Sequence, residues 1–343
     1  MKLNFKALLA AAVGVATFAF SPANAYEATN AMTKPGAFIG ASAGMPPPGI
    51  YMFNQVFTYQ ANLVGPGVNS ALGGNTRNGV QAAVDVQGFI FVPGWTFLGA
   101  TYDALIVQPW VMSDVGQPAC IPNCGSASGM FNTYFVPIEL TWKLGTSGFV
   151  VKSGFAFYAP TGNIQGPAGL NNQGRPFWTF QPELAISYLA NGWNLTAFFY
   201  EEFNTANTRD GYTNGDIFHV DFTATKTFGK WTIGPVGYYY AQVSDDKCPI
   251  GVCTAFHRFG TLTDASRFQV LALGGLVEYN FGPASLSVWA TQEVLAKASN
   301  TAAQAAFGGE DFSLIGRGAT VFATLSYRLW APEEPAKAPM FRK

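Results

Sequence analysis

The chain has 343 residues, with 19 basic and 20 acidic side chains, and this near balance does not favour a nucleic-acid partner. Charged residues make up only 11% of it, whereas soluble domains average about 25%, so much of the surface is expected to face something other than water. No segment beyond the N-terminus is apolar for long enough to form a membrane-spanning helix. A closed barrel of β-strands is the other structure that satisfies every backbone hydrogen bond inside lipid.

The N-terminus has the pattern of a secretory signal peptide. Lys2 and Lys6 precede an apolar run over 7–20, and the small-residue sequence Ala23-Asn24-Ala25 follows it. The run is shorter than the roughly 20 apolar residues that a spanning helix needs. We therefore expect residues 1–25 to be removed when the chain is exported.

The exported chain is expected to have three parts. Residues 49–330 form the predicted barrel, and residues 331–343 form a C-terminal tail. Residues 26–48 contain Pro35-Gly36 and the run Pro46-Pro47-Pro48 but no strand pattern. This N-terminal segment is consistent with a plug folded into the barrel and equally with a plain periplasmic linker.

From residue 50 onward the sequence breaks into stretches with period-2 alternation, long enough for tilted membrane-crossing strands. The predicted strands, twelve in all, are 50–62, 80–92, 95–108, 130–144, 149–159, 177–189, 193–204, 216–228, 231–244, 266–281, 284–295 and 318–330.

The connections between the predicted strands alternate in length. Short connections fall at 93–94, 145–148, 190–192, 229–230 and 282–283, and long ones at 63–79, 109–129, 160–176, 205–215, 245–265 and 296–317. Over an even number of strands this predicts an all-β fold, a transmembrane antiparallel up-and-down β-barrel with short periplasmic turns and long extracellular loops. Its location would be a bacterial outer membrane, with the membrane lipids around it.

Tryptophans gather at the ends of the predicted strands, as they do at the membrane interfaces of barrels. Those at the short-turn ends and at the end of the last strand are Trp95, Trp142, Trp193, Trp231 and Trp330. They predict an aromatic girdle on the periplasmic side. A secreted β-sandwich or adhesin would also show strands and turns, but it does not explain the alternating loop lengths.

Side-chain alternation assigns the two faces of each strand. In the strand predicted over 130–144, the even-numbered positions from Tyr134 to Trp142 are apolar and are assigned to lipid. Extended to the other strands, the same reasoning predicts a lumen lined by Asp85, Asp103, Phe135, Glu139, Lys143, Lys152, Glu183, Phe198, Tyr200, Glu202, His219, Asp221, Glu278, Glu293 and Arg328. Buried charges of this kind either form salt-bridged struts across a narrow barrel or line a solute path.

The mixture of aromatic and charged lining favours a small aromatic or hydrophobic solute over salts or sugars. A closed structural or adhesive barrel is the alternative function. A lipid-modifying enzyme is a further alternative, with His219 and Asp221 as its acid–base pair, but no serine stands in a recognisable nucleophile context. No cofactor is indicated.

The four cysteines form two closely spaced pairs within long loops of an exported chain. This pattern predicts local disulfides, Cys120–Cys124 and Cys248–Cys253. Metal binding is disfavoured, because the spacings are not those of a zinc knuckle.

Several of these features together resemble a known family. They are the signal peptide, the Gly/Ala/Pro segment, the Pro47-Pro48-Gly49-Ile50-Tyr51 entry into an aromatic first strand and the final strand over 320–330. The chain resembles the outer-membrane transporters associated with the meta-cleavage pathway of phenol degradation. The resemblance implies a channel through which small aromatic or hydrophobic molecules diffuse passively, and it brings no catalytic residues with it. The sequence leaves the oligomeric state open.

Overall fold

The computed structural model describes residues 31–70, 79–115, 125–164, 173–209, 211–247, 267–299, 313 and 315–332. The predicted signal peptide, the tail beyond residue 332 and all four cysteines lie outside these residues, so the disulfides stay predictions. The described strands are β1 (Gly49–Val64), β2 (Gly79–Val92), β3 (Thr96–Phe97), β4 (Ala100–Val115), β5 (Gly125–Met130), β6 (Thr133–Lys143), β7 (Phe149–Ala159), β8 (Thr179–Tyr188), β9 (Trp193–Asn204), β10 (Ile217–Phe228), β11 (Trp231–Gln242), β12 (Arg267–Asn280), β13 (Ala284–Ser299) and β14 (Ile315–Trp330). A single helical turn, α1 (Gly67–Ser70), follows β1.

Twelve of these strands form the wall of a closed antiparallel barrel, and β3 and β5 are short additions to β4. Each wall strand pairs with its neighbours in sequence, and β1 closes the barrel by pairing with β14 from Ile50↔Trp330 to Val64↔Ile315. The predicted up-and-down barrel is therefore confirmed. Within the described ranges, no helix has the length and apolar character to cross a membrane.

The outer face of the wall is apolar. Exposed apolar side chains on five of the wall strands include Phe155, Leu184, Phe222, Leu273 and Leu325. Trp95, Trp193, Trp231 and Trp330 are exposed at the short-turn end, where an aromatic girdle would meet the membrane interface.

The third wall strand, β4, lies further along the chain than predicted. The sequence predicts a strand over 95–108 after a two-residue turn, whereas β4 spans Ala100–Val115. The chain instead makes a small β3–β4 hairpin in which Leu98 and Gly99 both have positive φ, 51° and 76°. Gly99 is typical of such a turn but Leu98 is not, and Pro93-Gly94 just before it gives the stronger turn signal in the sequence.

A β-bulge at Pro137 shifts the facing of β6. Phe135 pairs with Phe157 and Ile138 pairs with Phe155, so two residues of β6 oppose one residue of β7. Proline cannot donate to the ladder and is tolerated at such a bulge. Above the bulge Tyr134 and Val136 are buried inside the barrel, whereas Phe135 stacks on Phe157 on the outer face. The assignment of Phe135 to the lumen is therefore wrong.

Asp85 also faces outward and not into the lumen. Its neighbours Val84 and Val86 are buried in the interior cluster, and Asp85 is exposed. Alternation along β2 assigned the polar face with Asp85 to the lumen and the valine face to lipid, and the structure has the two faces the other way round.

Candidate functional site

Residues 31–44, which we call the lumen segment, lie inside the barrel. Met32, Ile39 and Ala43 are buried, and each belongs to a different cluster of buried apolar side chains. Met32 packs with residues of β2, β4, β6 and β7, Ile39 with residues of β10 to β14, and Ala43 with residues of β7 to β9. The segment thus contacts the wall on nearly all sides.

Two wall carboxylates hold the backbone of the lumen segment. Glu202 on β9 accepts hydrogen bonds from the backbone N–H groups of Met32 and Thr33, both at 2.8 Å. Asp221 on β10 accepts from the N–H groups of Gly36 and Phe38, both at 3.0 Å. Each carboxylate therefore satisfies two backbone donors that have no strand to pair with, and charge-assisted hydrogen bonds of this kind are stronger than neutral ones.

Hydroxyl groups of the wall continue this series. Thr223 Oγ1 accepts from Gly40 N at 2.9 Å, and Ser187 Oγ accepts from Ala43 N at 2.8 Å. The wall also donates, since Trp289 Nε1 binds the carbonyl oxygen of Gly36 at 3.1 Å. The set of lumen residues named from the sequence does not include these three.

Gly36 is required by the path of the lumen segment. Its φ is +87°, in the left-handed region that favours glycine. A Cβ atom at Gly36 would lie 2.8 Å from the ring of Tyr238 on β11. The segment therefore depends on this glycine for both its turn and its fit against the wall.

A phenyl ring from the lumen segment occupies an aromatic site in the wall. The ring of Phe38 stacks on Phe198 with centroids 4.4 Å apart and an interplanar angle of 9°. It meets Tyr200 edge to face, with centroids 5.2 Å apart and an angle of 82°. Both geometries are favourable for aromatic pairs. We call Phe198 and Tyr200 the aromatic seat.

His219 lies next to the aromatic seat in a stack of rings. Its centroid is 4.3 Å from that of Tyr200 and 5.6 Å from that of Tyr240, with both pairs nearly parallel. Its Nε2 is 3.4 Å from Glu202 Oε1. His219 is fully buried, so the stack fixes one side of the carboxylate that holds Met32 and Thr33.

Glu293 on β13 forms a second polar centre. It accepts hydrogen bonds from the hydroxyl groups of Tyr59 and Tyr238, at 3.1 and 2.9 Å, and from Gly318 N at 2.6 Å. Lys34 of the lumen segment places its Nζ 3.9 Å from the Glu293 carboxylate and 3.9 Å from the Tyr59 ring centroid. This contact fixes the charged side of the segment against β1 and β13.

The remaining buried charges form a network on the opposite wall. Lys152 Nζ lies 3.1 Å from Glu139 and 3.4 Å from Asp103, joining β7 to β6 and β4. Glu183 on β8 accepts hydrogen bonds from Tyr134 and Gln181. These residues act as struts that join neighbouring strands.

Three predicted residues lie at the short-turn mouth or near it. Arg328 donates to the carbonyl oxygen of Pro48 and packs over the Tyr51 ring. Glu278 accepts from Ser287, and Lys143 is exposed at the end of β6. No hydrogen bond or ion pair joins them to the lumen segment, and the predicted residues that do surround it include Phe198, Tyr200, Glu202, Asp221 and Glu293.

Comparison with known proteins identifies the family. Residues 53–308 match the family model described as "Putative MetA-pathway of phenol degradation". The chain belongs to this family. The resemblance drawn from the sequence is thereby confirmed. Among curated proteins, none matches the chain in sequence.

Comparison with solved structures shows which fold this chain has. The COG4313 outer membrane channel from Pseudomonas putida F1 shares 11% identity over 86% of this chain and 99% of its own, with a TM-score of 0.64. The translocator domain of the autotransporter NalP from Neisseria meningitidis has a TM-score of 0.44, with 8% identity over 84% of this chain and 91% of its own. The Pseudomonas putida toluene transporter TodX has a TM-score of 0.36, with 10% identity over 87% of this chain and 94% of its own. The last two scores are too low to bear on this chain. The fold is that of a bacterial outer-membrane barrel, and the protein resides in that membrane.

Proposed function

We propose that the protein is a passive outer-membrane channel for small aromatic molecules, with the lumen segment as its plug. The observation that carries this proposal is the seat of Phe38. There the wall already binds a phenyl ring, stacked on Phe198 and edge-on to Tyr200. A phenol-like solute offers the same ring, so it is suited to the same seat when Phe38 leaves.

The contacts of the plug are of a kind that can exchange. Glu202, Asp221, Thr223 and Ser187 hold it through hydrogen bonds to backbone N–H groups. Water can replace each of these bonds at modest net cost. Movement of the segment would leave carboxylates that retain water beside an aromatic surface, so a solute could bind there and leave again.

Two observations from outside the lumen support a channel. The chain belongs to a family named for phenol degradation, and the structure that it resembles with a TM-score of 0.64 is an outer membrane channel. An enzymatic role is not part of the proposal, because His219 is enclosed between two rings and both oxygens of Asp221 are bound to the plug backbone. A closed structural barrel is the competing account.

The aromatic seat can be tested by binding. Phe38→Ala should empty the seat, and phenol binding to the purified protein, followed by saturation-transfer NMR, should become stronger than in the wild type. Adding Phe198→Ala should abolish the gain because the stacking surface is lost. Phe155→Ala on the exposed outer wall is the matched control and should leave phenol binding unchanged. Equal binding of phenol by the wild type and by Phe38→Ala would contradict the proposal.

A further inference from the structure

The outer wall carries a row of polar side chains on β1, β2 and β4, where lipid is expected. Asn54 on β1 pairs with Gln87 on β2, and Gln87 pairs with Gln108 on β4, so three amide side chains form a lateral row. Asp85 lies in the next row, between Val56 and Trp110.

Contacts of neighbouring residues establish that this row faces outward. Gln55 donates to the carbonyl oxygen of Ala37 inside the barrel, so Asn54 points the other way. Val86 and Val107 are buried in the interior cluster, so Gln87 and Gln108 are outward as well.

The row lies near the middle of the lipid-facing band. Asn54 is five residues along β1 from Gly49, which at about 3.3 Å per residue and a tilt of about 40° places it roughly 12 Å above the periplasmic end. The apolar band of such barrels is about 25 Å tall. At comparable positions on the far wall the outward residues are apolar, as in the paired positions Ile186, Ala197 and Phe222.

Within the described residues, several of these polar groups have no hydrogen-bond partner. Gln108 is satisfied, since it donates to the carbonyl oxygens of Pro109 and Phe131 and accepts from Thr133. Asn54, Gln87 and Asp85 make no side-chain hydrogen bond to any part of the chain that the structure describes. We call these three residues the outer polar patch. Lipid tails offer them no donor or acceptor.

We infer that the outer polar patch is the contact surface for a second copy of this chain. Primary amides carry both donors and acceptors, so Asn54 and Gln87 of one copy can bond to the amides of the other and donate to its Asp85, which only accepts. A two-fold axis along the membrane normal brings equal heights of two barrels together, and each patch then meets its own counterpart. Side-chain amides stabilise contacts between membrane segments in this way.

Mass measurement tests this inference directly. The wild-type protein in lipid nanodiscs should have the mass of two chains, and the double variant Asn54→Leu with Gln87→Leu should have half that mass. Ser153→Leu, which replaces an exposed polar residue on β7, is the control and should stay dimeric. Heat-modifiable mobility in gels should show a folded barrel in all three proteins. A monomeric wild type, or a double variant that remains dimeric, would overturn the inference.

Photo-cross-linking identifies what covers the patch. Benzoylphenylalanine in place of Gln87 should cross-link two chains on illumination in native membranes, whereas the same residue in place of Phe222 should react only with lipid. Lipid adducts alone at position 87 would refute the second copy. Neither experiment depends on solute passage, so the channel proposal stands or falls separately.

Discussion

Asp221→Asn is expected to loosen the plug while leaving the barrel wall intact. The Asp221 carboxylate accepts two backbone N–H bonds, from Gly36 and Phe38. Asparagine at this position has one carbonyl oxygen and an NH₂ group, so one of the two bonds is lost and a donor faces a donor. The outward face of β10 is untouched by this change.

The size of the effect follows from the lost bond. A hydrogen bond to a charged group contributes about 1.5–3 kcal/mol. At about 1.36 kcal/mol for each tenfold change in an equilibrium constant, the plug should leave its seat about 10- to 150-fold more often. Single-channel recording in planar bilayers measures this as an increase in the fraction of time that the channel conducts.

The control is Phe222→Leu, an apolar substitution on the outward face of the same strand. It should conduct like the wild type. If Asp221→Asn also conducts like the wild type while its barrel remains folded, then the carboxylate does not hold the plug closed and the reasoning is wrong.

Three further substitutions test other contacts. Gly36→Ala should also increase conduction, because alanine is strained at a φ of +87° and its Cβ would press on the Tyr238 ring. Single-channel recording measures this, and unchanged conduction would contradict the requirement for glycine at position 36. Lys152→Ala should lower the free energy of unfolding by about 3–5 kcal/mol in a urea titration, because it leaves two buried carboxylates unpaired. The exposed control Lys143→Ala should change the free energy of unfolding little, and equal losses would contradict the role of Lys152 as a strut. Phe222→Arg should cost about 2–4 kcal/mol in the same titration, because it places a charge against lipid, and a neutral result would show that β10 does not face the membrane there.

The bounds of the strands could be predicted from the sequence where the turns between them contain glycine or asparagine at the positions with positive φ. The bounds predicted for the strands over 149–159 and 193–204 agree with β7 and β9. Their turns contain Gly148, Asn191 and Gly192 at positive φ, residues that mark such turns in a sequence. The β3–β4 turn does contain Gly99 at positive φ, but Leu98 beside it is untypical and Pro93-Gly94 gave the stronger turn signal, so the third strand was predicted to begin too early.

The facing of side chains could be predicted only where alternation was uninterrupted. On β10, His219 and Asp221 face inward as the pattern predicted. On β6 the bulge at Pro137 reversed the direction above it, and proline alone does not reveal whether a strand bulges or ends. On β2 the alternation is regular but its direction is inverted, because the interior cluster takes Val84 and Val86 and leaves Asp85 outside.

The candidate site could be predicted in part. Its wall side, with Phe198, Tyr200, Glu202 and Asp221, was named from the sequence. What these residues bind was not, because Glu202 contacts residues 169 and 170 positions away along the chain. Backbone N–H donors look alike in any sequence, so no pattern could indicate which of them the carboxylates hold.

Solute flux into proteoliposomes tests the central claim most directly. Vesicles containing the purified protein should take up phenol-like solutes faster than empty vesicles, and Asp221→Asn should raise that rate further. Uptake by both the wild type and Asp221→Asn at the rate of empty vesicles would contradict the account of a plugged channel for aromatic solutes.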